Sequence, residues 1–273
     1  MNSKTLKKEV IILKIKSKNS MISKSKISQI RLFHQKKHRE AEGTFIVEGT
    51  KSFFELQNST LDVLEIFATE KWVSENQLKS EEKNKIQIIS EKEMEKISCL
   101  TTAPEILCLV KIPYFSLNQF DHNKPIIVLD DIKDPGNLGT IIRTADWFGI
   151  NQILCSENCV EFTNPKTIQA TMGSFCRVKI VYGNIYEYIA NHEDRVSYGM
   201  FMDGNPIDKQ TFTPHDILVI GSESHGISPE VATLIQKRIT IPHFHNSPNT
   251  AESLNASIAS GILLYEYGKK LKN

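Results

Sequence analysis

Along this chain, short apolar runs alternate with stretches in which apolar residues recur every three or four positions, the pattern of strands interleaved with helices. From 23 to 38, Ile27, Ile30, Leu32 and Phe33 recur at roughly helical spacing while Lys24, Lys26, Arg31, Lys36 and Lys37 fill other positions, which predicts one amphipathic basic helix. Strand-like runs follow at 44–48, 63–68, 86–89 and 106–110, separated by helical segments such as 51–56 and 91–97. Residues 111–124 hold Pro113 and a polar run and read as a linker. The second half alternates again, with strands near Ile126, Ile153, Val178, Val196, Ile217 and Ile239 and helices after Asn137, Asn164, Asn184, Ser228 and Ser253. Asn164 and Ser228 each stand directly before a proline suited to a first helical turn. The pattern predicts a small α/β layer domain, then a mostly parallel sheet with helices on both faces.

A length of 273 residues suits two domains. No apolar run approaches the roughly 20 residues that span a bilayer, and lysines interrupt any leader-like core, so a cytoplasmic protein without a membrane partner is expected. The five cysteines form no CxxC pair and are odd in number, which favours reduced, mostly buried thiols over a disulfide framework. The net charge of +1 conceals an asymmetry: residues 1–40 hold twelve Lys or Arg against Glu9 and Glu40, and the rest of the chain is acidic. A basic block of this kind attracts polyanions by neutralising phosphates, or forms a solvated tail. Met21 is an alternative start that would leave residues 1–20 without a role.

The richest segment is 130–149, DDIKDPGNLGTIIRTADWFG. An apolar strand of Ile126, Ile127, Val128 and Leu129 enters a turn of Asp, Pro, Gly and Asn, and a helix follows with Ile141, Ile142, Ala145 and Phe148 at helical spacing. Asn137 then lies at the helix mouth and Arg143 on the face the core leaves free. The Asn137 amide both donates and accepts, so it holds a ribose, braces the turn or caps the helix. Arg143 offers a two-pronged fork to a phosphate, or a surface ion pair.

In 216–228, DILVIGSESHGIS, Gly221 and Gly226 permit close backbone approach, and the preceding strand delivers them to the carboxyl edge of the sheet, where open α/β sheets bind ligands. Glu223 there orients an arginine or a nucleotide, or is an exposed acid without a role. In 251–266, AESLNASIASGILLYE, Ser253 begins and caps a long helix, Leu254 faces inward, and Asn255 and Ser257 stay near its partly positive N-terminus. On that helix Leu254, Ile258, Ile262 and Tyr265 line a core stripe, while Ala256, Ala259, Ser260 and Gly261 leave a small-residue face suited to another helix.

In order and spacing these three segments closely resemble the motifs of the SpoU/TrmH family of RNA ribose 2'-O-methyltransferases, in the SPOUT superfamily, across roughly 125–267. The resemblance implies S-adenosylmethionine as methyl donor and co-substrate, no metal, and a homodimer with its active sites at the interface. It places a C-terminal trefoil knot in the loops around Gly221, Ile241 and Leu254, which hold the donor chiefly through backbone groups. It makes Asn137, Arg143, Glu223, Ser253 and Asn255 the catalytic set. HREAEGTFIVEG, residues 38–49, resembles part of the L30e-like substrate-binding module that often precedes such a catalytic domain. The implied organisation is a basic extension at 1–21, an RNA substrate-binding domain at 22–113, a linker at 114–124 and the SpoU-type methyltransferase domain at 125–273.

Family accounts often make the arginine a general base. Its pKa above about 12 argues instead for electrostatic activation of the hydroxyl, with a phosphate or water accepting the proton. The chain departs from the family after Ile241 and Pro242, where HFHNSPNT at 243–250 is longer than the usual link and lacks glycine. His243 and His245 there, with His225, read as polar surface rather than a metal site. The implied substrate is ribosomal RNA, 23S rRNA first, because the N-terminal module resembles that of ribosomal enzymes. Transfer RNA is the alternative, and the altered link raises a second one, an RNA-binding protein of the same fold without catalysis. A nucleotide-cofactor dehydrogenase is disfavoured, because no GxGxxG follows the first strand.

Overall fold

The computed structural model describes residues 21–244 and 253–271. The extension at 1–20 and residues 245–250 of the unusual link, His245 among them, lie outside the described residues. The chain divides into two compact units, one holding the described residues up to Pro113 together with Thr163–Cys176, the other Tyr114–Phe162 and the described residues from Arg177 on.

In the first unit, helices α1 (Lys24–Leu32) and α2 (Lys36–Glu42) precede β1 (Thr44–Glu48), α3 (Thr50–Gln57), β2 (Val63–Thr69), α4 (Glu70–Glu75), β3 (Ile86–Ile89), α5 (Glu91–Ile97) and β4 (Ile106–Lys111). The sheet order is β1-β4-β2-β3, antiparallel except for the parallel β2/β3 pair. Ile30, Phe33, Ile46, Phe67, Met94 and Leu107 meet in its core. The single basic helix expected over 23–38 is two helices. A continuous helix would pass the Phe33 carbonyl to the amide four residues on, but the buried Arg39 guanidinium takes it at 2.8 Å, and the chain turns there.

Thr163–Cys176, which the pattern assigns to the catalytic half, packs in this first unit. Asn164 caps the short helix Pro165–Thr171 as expected, Phe175 meets Phe45 edge-on at 6.0 Å, and Gly173 lies so close to Glu55 that an added Cβ would come within 2.3 Å of its side chain.

The second unit runs β5 (Ile126–Asp130), α6 (Pro135–Trp147), β6 (Gln152–Cys155), β7 (Lys179–Tyr182), α7 (Ile185–Ala190), β8 (Ser197–Pro206), β9 (Ile217–Gly221), α8 (Pro229–Ala232), β10 (Lys237–Thr240) and α9 (Ala256–Leu271). Its six strands form a wholly parallel sheet in the order β10-β8-β9-β5-β6-β7. All of β5 is buried, as a parallel strand covered on both faces requires. Val128, Leu154 and Val219 pack with Ile185 and Ile189 of α7 and Val231 of α8, and α9 packs against α6 and β9. The chain leaves β5 toward β6 and β7 on one side, crosses to β8 on the other, and β9 then fills the place between β8 and β5. This reversal between β5 and β9 is the topological switch point, outside which such sheets bind ligands.

Residues 114–124 are no loose linker. Phe120 is buried in the second unit's core, and the Gln152 amide bonds the backbone of Asp121 from both its oxygen and its nitrogen. All five cysteines lie outside disulfides, and three of them, Cys108, Cys155 and Cys159, are buried. Among the described residues no helix is long and apolar enough to cross a membrane.

The inward face of α9 differs from the expected one. Ala256, Ser257, Ser260, Leu263, Leu264 and Tyr267 are buried, whereas Leu254, Ile258 and Tyr265 are about half exposed. The inward face combines small residues in the first turns, Ala256, Ser257 and Ser260, with Leu263, Leu264 and Tyr267 further along, where α9 packs against α6 and β9.

Candidate active site

Three loops supply the site, and each starts or ends at a strand or helix the fold has already placed. At the first, Asp134 rather than Asn137 caps α6, its Oδ1 accepting the Asn137 backbone N–H at 2.8 Å, with Pro135 in the first turn. The Asn137 side chain is thereby freed for other partners. Its Nδ2 donates to Glu223 Oε1, and its Oδ1 accepts from Asn255 Nδ2 at 2.9 Å.

The second loop, 221–228, closes on itself. Ser222 and Gly226 exchange two backbone hydrogen bonds, at 3.1 and 2.9 Å, with Gly226 at φ 67°. A Cβ on Gly221 would come within 2.1 Å of the Gly226 backbone, so only glycine fits there. At the third loop Asn255, not Ser253, caps α9. Its Oδ1 accepts from the N–H groups of Ser257 at 3.0 Å and Ile258 at 3.3 Å and from the Ser257 hydroxyl at 2.6 Å. Asn137, Glu223 and Asn255 thus form one hydrogen-bonded cluster from positions far apart in the sequence.

Beside this cluster lies a cavity of about 680 Å³ whose wall includes Gly221, Glu223, Ile241, Ser253 and Leu254. Five of the eight expected site residues therefore share one wall, and Asn137 and Asn255 bond to it or to each other. Leu254 meets the cavity from an exposed position rather than from the core. Arg143 stands apart: it is exposed on α6, is not part of the cavity wall, and makes no hydrogen bond or ion pair among the described residues. Pattern reading missed Met200, Phe201 and Met202, which face the cavity from β8. The available signal was an apolar run immediately before Asp203 and Gly204 in a strand longer than the sheet needs.

The wall is mainly apolar, with backbone groups and a few polar side chains, which suits a small organic ligand. His225 Nδ1 lies 2.8 Å from Ser224 Oγ, and His243 lines the cavity. Behind the first loop, the Cys159 thiol is drawn down to about 7, first by a hydrogen bond with Cys155 and then by the Ser156 hydroxyl and the Ile132 N–H, while burial opposes the shift.

Residues 124–265 match the SpoU rRNA Methylase family, and residues 24–108 match the MRM3-like substrate binding domain. The chain is 26% identical over 245 residues to the 23S rRNA (guanosine(2553)-2'-O)-methyltransferase RlmP of Bacillus subtilis, covering 88% of this chain and 94% of that one. A solved TrmH-family structure from Porphyromonas gingivalis is 32% identical with a TM-score of 0.80, covering 91% of this chain and 98% of that one. The SpoU methyltransferase AviRb from Streptomyces viridochromogenes, solved in complex with AdoMet, shares the fold at a TM-score of 0.79 and 20% identity, over 92% of this chain and 99% of that one.

Proposed function

The chain belongs to the SpoU rRNA Methylase family, and on that premise we propose that it transfers the methyl group of S-adenosylmethionine to a ribose 2'-hydroxyl of ribosomal RNA, 23S rRNA in the first place. The observation that carries this reading is the meeting of Asn137, Glu223 and Asn255 beside a nucleoside-sized cavity lined from β8 and from the ends of β9 and β10.

Such a transfer requires a bound donor, a hydroxyl held in line and somewhere for its proton to go. Bound in the cavity, S-adenosylmethionine supplies a methyl group on a positively charged sulfur. Gly221, Ile241 and Leu254 hold the donor, chiefly through backbone groups, and Met200 and Met202 give its nucleoside an apolar surface. Asn137, whose amide Glu223 and Asn255 already align, holds the ribose, and Ser253 completes the rim. Arg143 remains protonated, binds a phosphate and favours the developing alkoxide, while a phosphate or water takes the proton.

Because Arg143 lies outside its own chain's cluster, it serves the site of a second copy in this reading, and the enzyme works as a homodimer. The half-exposed Leu254, Ile258 and Tyr265 on or beside α9 support such an interface. The first unit is the RNA-binding, L30e-like module, and the loops around Gly221, Ile241 and Leu254 belong to a trefoil knot.

Purified protein is expected to move labelled methyl from S-adenosylmethionine to RNA and not to RNA whose target ribose lacks its 2'-hydroxyl; equal labelling of the deoxy substrate would refute the reading. Mapping 2'-O-methylation in total RNA with and without the protein names the nucleotide, and a lost mark in transfer RNA would move the substrate there. The unusual 243–250 link favours one second reading, RNA binding without catalysis, which predicts no heat of donor binding by isothermal titration.

A further inference from the structure

Asp130 is a buried carboxylate, 5% exposed, that the chemistry above does not use. It ends β5 and pairs in register with Gly221 at the end of β9, so the two strands pass side by side into the first and second loops. Its Oδ2 accepts the backbone N–H of Ser228 at 2.8 Å, across 98 residues of sequence. Ser228 is where the 221–228 loop ends and α8 begins.

The loop is therefore pinned at three places: by the β9 ladder at Gly221, by the paired backbone bonds of Ser222 and Gly226, and by Asp130 at Ser228. Between the pins lie Glu223 and the cavity wall as far as Ile227. Asp130 is itself held in place. Asp131 adopts φ 59°, rare for a residue with a side chain, and its N–H donates to the buried Ser156 Oγ at 3.0 Å. The next N–H, of Ile132, donates to Cys159 Sγ at 3.2 Å, and Val160 N–H donates to the Ile132 carbonyl at 2.8 Å.

We propose that Asp130 is a positioning residue that locks the 221–228 loop in its donor-binding shape and aims Glu223 at Asn137. The inference rests on the reading of this cavity as the donor site. A charged acceptor suits the task, because a carboxylate bonds a backbone N–H more strongly than a neutral oxygen does. The Ser228 side chain makes no cap hydrogen bond and its φ of −57° is one proline adopts, so the single N–H in question can be removed from the other side.

The test compares Asp130→Asn, Ser228→Pro and the control Ser228→Ala in the full-length protein. Donor affinity is read by titration with S-adenosylmethionine, RNA affinity by binding, and loop protection by amide hydrogen exchange without ligand. The Asn and Pro variants are expected to lose about tenfold in donor affinity and to exchange faster over 221–228, with β5 and β9 still protected and RNA affinity within twofold. Ser228→Ala should match the wild type. Donor affinity and loop exchange within twofold of wild type in both Asp130→Asn and Ser228→Pro would overturn the proposal. So would loss of protection across the whole sheet, which would make Asp130 a residue of the fold rather than of the loop. If wild-type protein binds no donor, the functional reading fails, whereas unaltered exchange over 221–228 in the variants is what counts against the Asp130 clamp.

Discussion

Asn137 is useful to this site because another residue does the capping. Asp134 accepts the N–H that an asparagine at the helix mouth would otherwise serve, and both ends of the Asn137 amide turn to Glu223 and Asn255. Arg143, six residues on, is exposed and unpaired among the described residues, so its worth must come from what binds there. The planar guanidinium presents two parallel donors where lysine offers a point charge. Arg143→Lys is therefore expected to keep the melting temperature and the donor affinity of the wild type while kcat falls on the order of 10²-fold. Near-normal turnover would show that charge alone is sufficient. Asn137 and Arg143 were both legible as polar residues at a strand-to-helix turn. The choice of Asp134 over Asn137 as cap was not, because both side chains cap well and tertiary partners decide between them.

At the scale of the elements, the 221–228 loop is tightly held at its start. A methyl on Gly221 would meet the backbone of Gly226 and Ile227, which cannot swing aside as a side chain would. Gly221→Ala is expected to destabilise the second unit by about 1–3 kcal/mol and to abolish measurable donor binding, read by thermal melting and titration. Helix α9 shows the opposite situation, an apolar surface left open. Ile258 is 55% exposed, so Ile258→Glu should cost the isolated fold little, yet shift a dimer toward monomer in sedimentation and lower activity with it. A fully active Ile258→Glu monomer would remove the dimer requirement. If the dimer shares its sites, mixing Arg143→Ala with Gly221→Ala protein should restore part of the activity, since one of the two sites in a mixed dimer would join an intact donor wall to an intact arginine. The α9 periodicity did reveal a helix with two usable faces, but both carry residues able to pack. Only its neighbours α6 and β9 select the face with Ala256, Ser260, Leu263, Leu264 and Tyr267 for the interior.

At the scale of the molecule, the basic charge is concentrated near the N-terminus, and part of that stretch belongs to the folded core. Ile30, Phe33 and Arg39 are buried parts of the first unit, so removing residues 1–40 would unfold that unit and say nothing about RNA. Residues 1–20 carry six lysines against Glu9. Deleting only these is expected to leave the donor affinity unchanged and to make the slope of log binding constant against log salt shallower by up to about 4, taking roughly 0.7 per phosphate contact with single-stranded RNA. An unchanged slope would assign the RNA grip to the first unit and the catalytic half without the extension.

Residues close in the chain set their own local structure, and there the sequence alone was enough. The strands of both halves, the cap at Asn164 and the glycine-bearing turn after β9 follow from periodicity, capping chemistry and the steric freedom of glycine, whereas Ile241 and Leu254 beside the cavity came from the family resemblance. What tertiary structure decided are the relations that have no local signature. The break after Phe33 depends on a guanidinium six residues away competing for a helix carbonyl. Thr163–Cys176 joins the first unit because Phe45 and Glu55 receive it. The Asn137 cluster joins positions 86 and 118 residues apart, and the Asp130 clamp spans 98. Hydrophobic period reports which face a residue takes within its own element. Which distant loop that face will meet is settled by strand order, and here by the reversal that sets β9 beside β5.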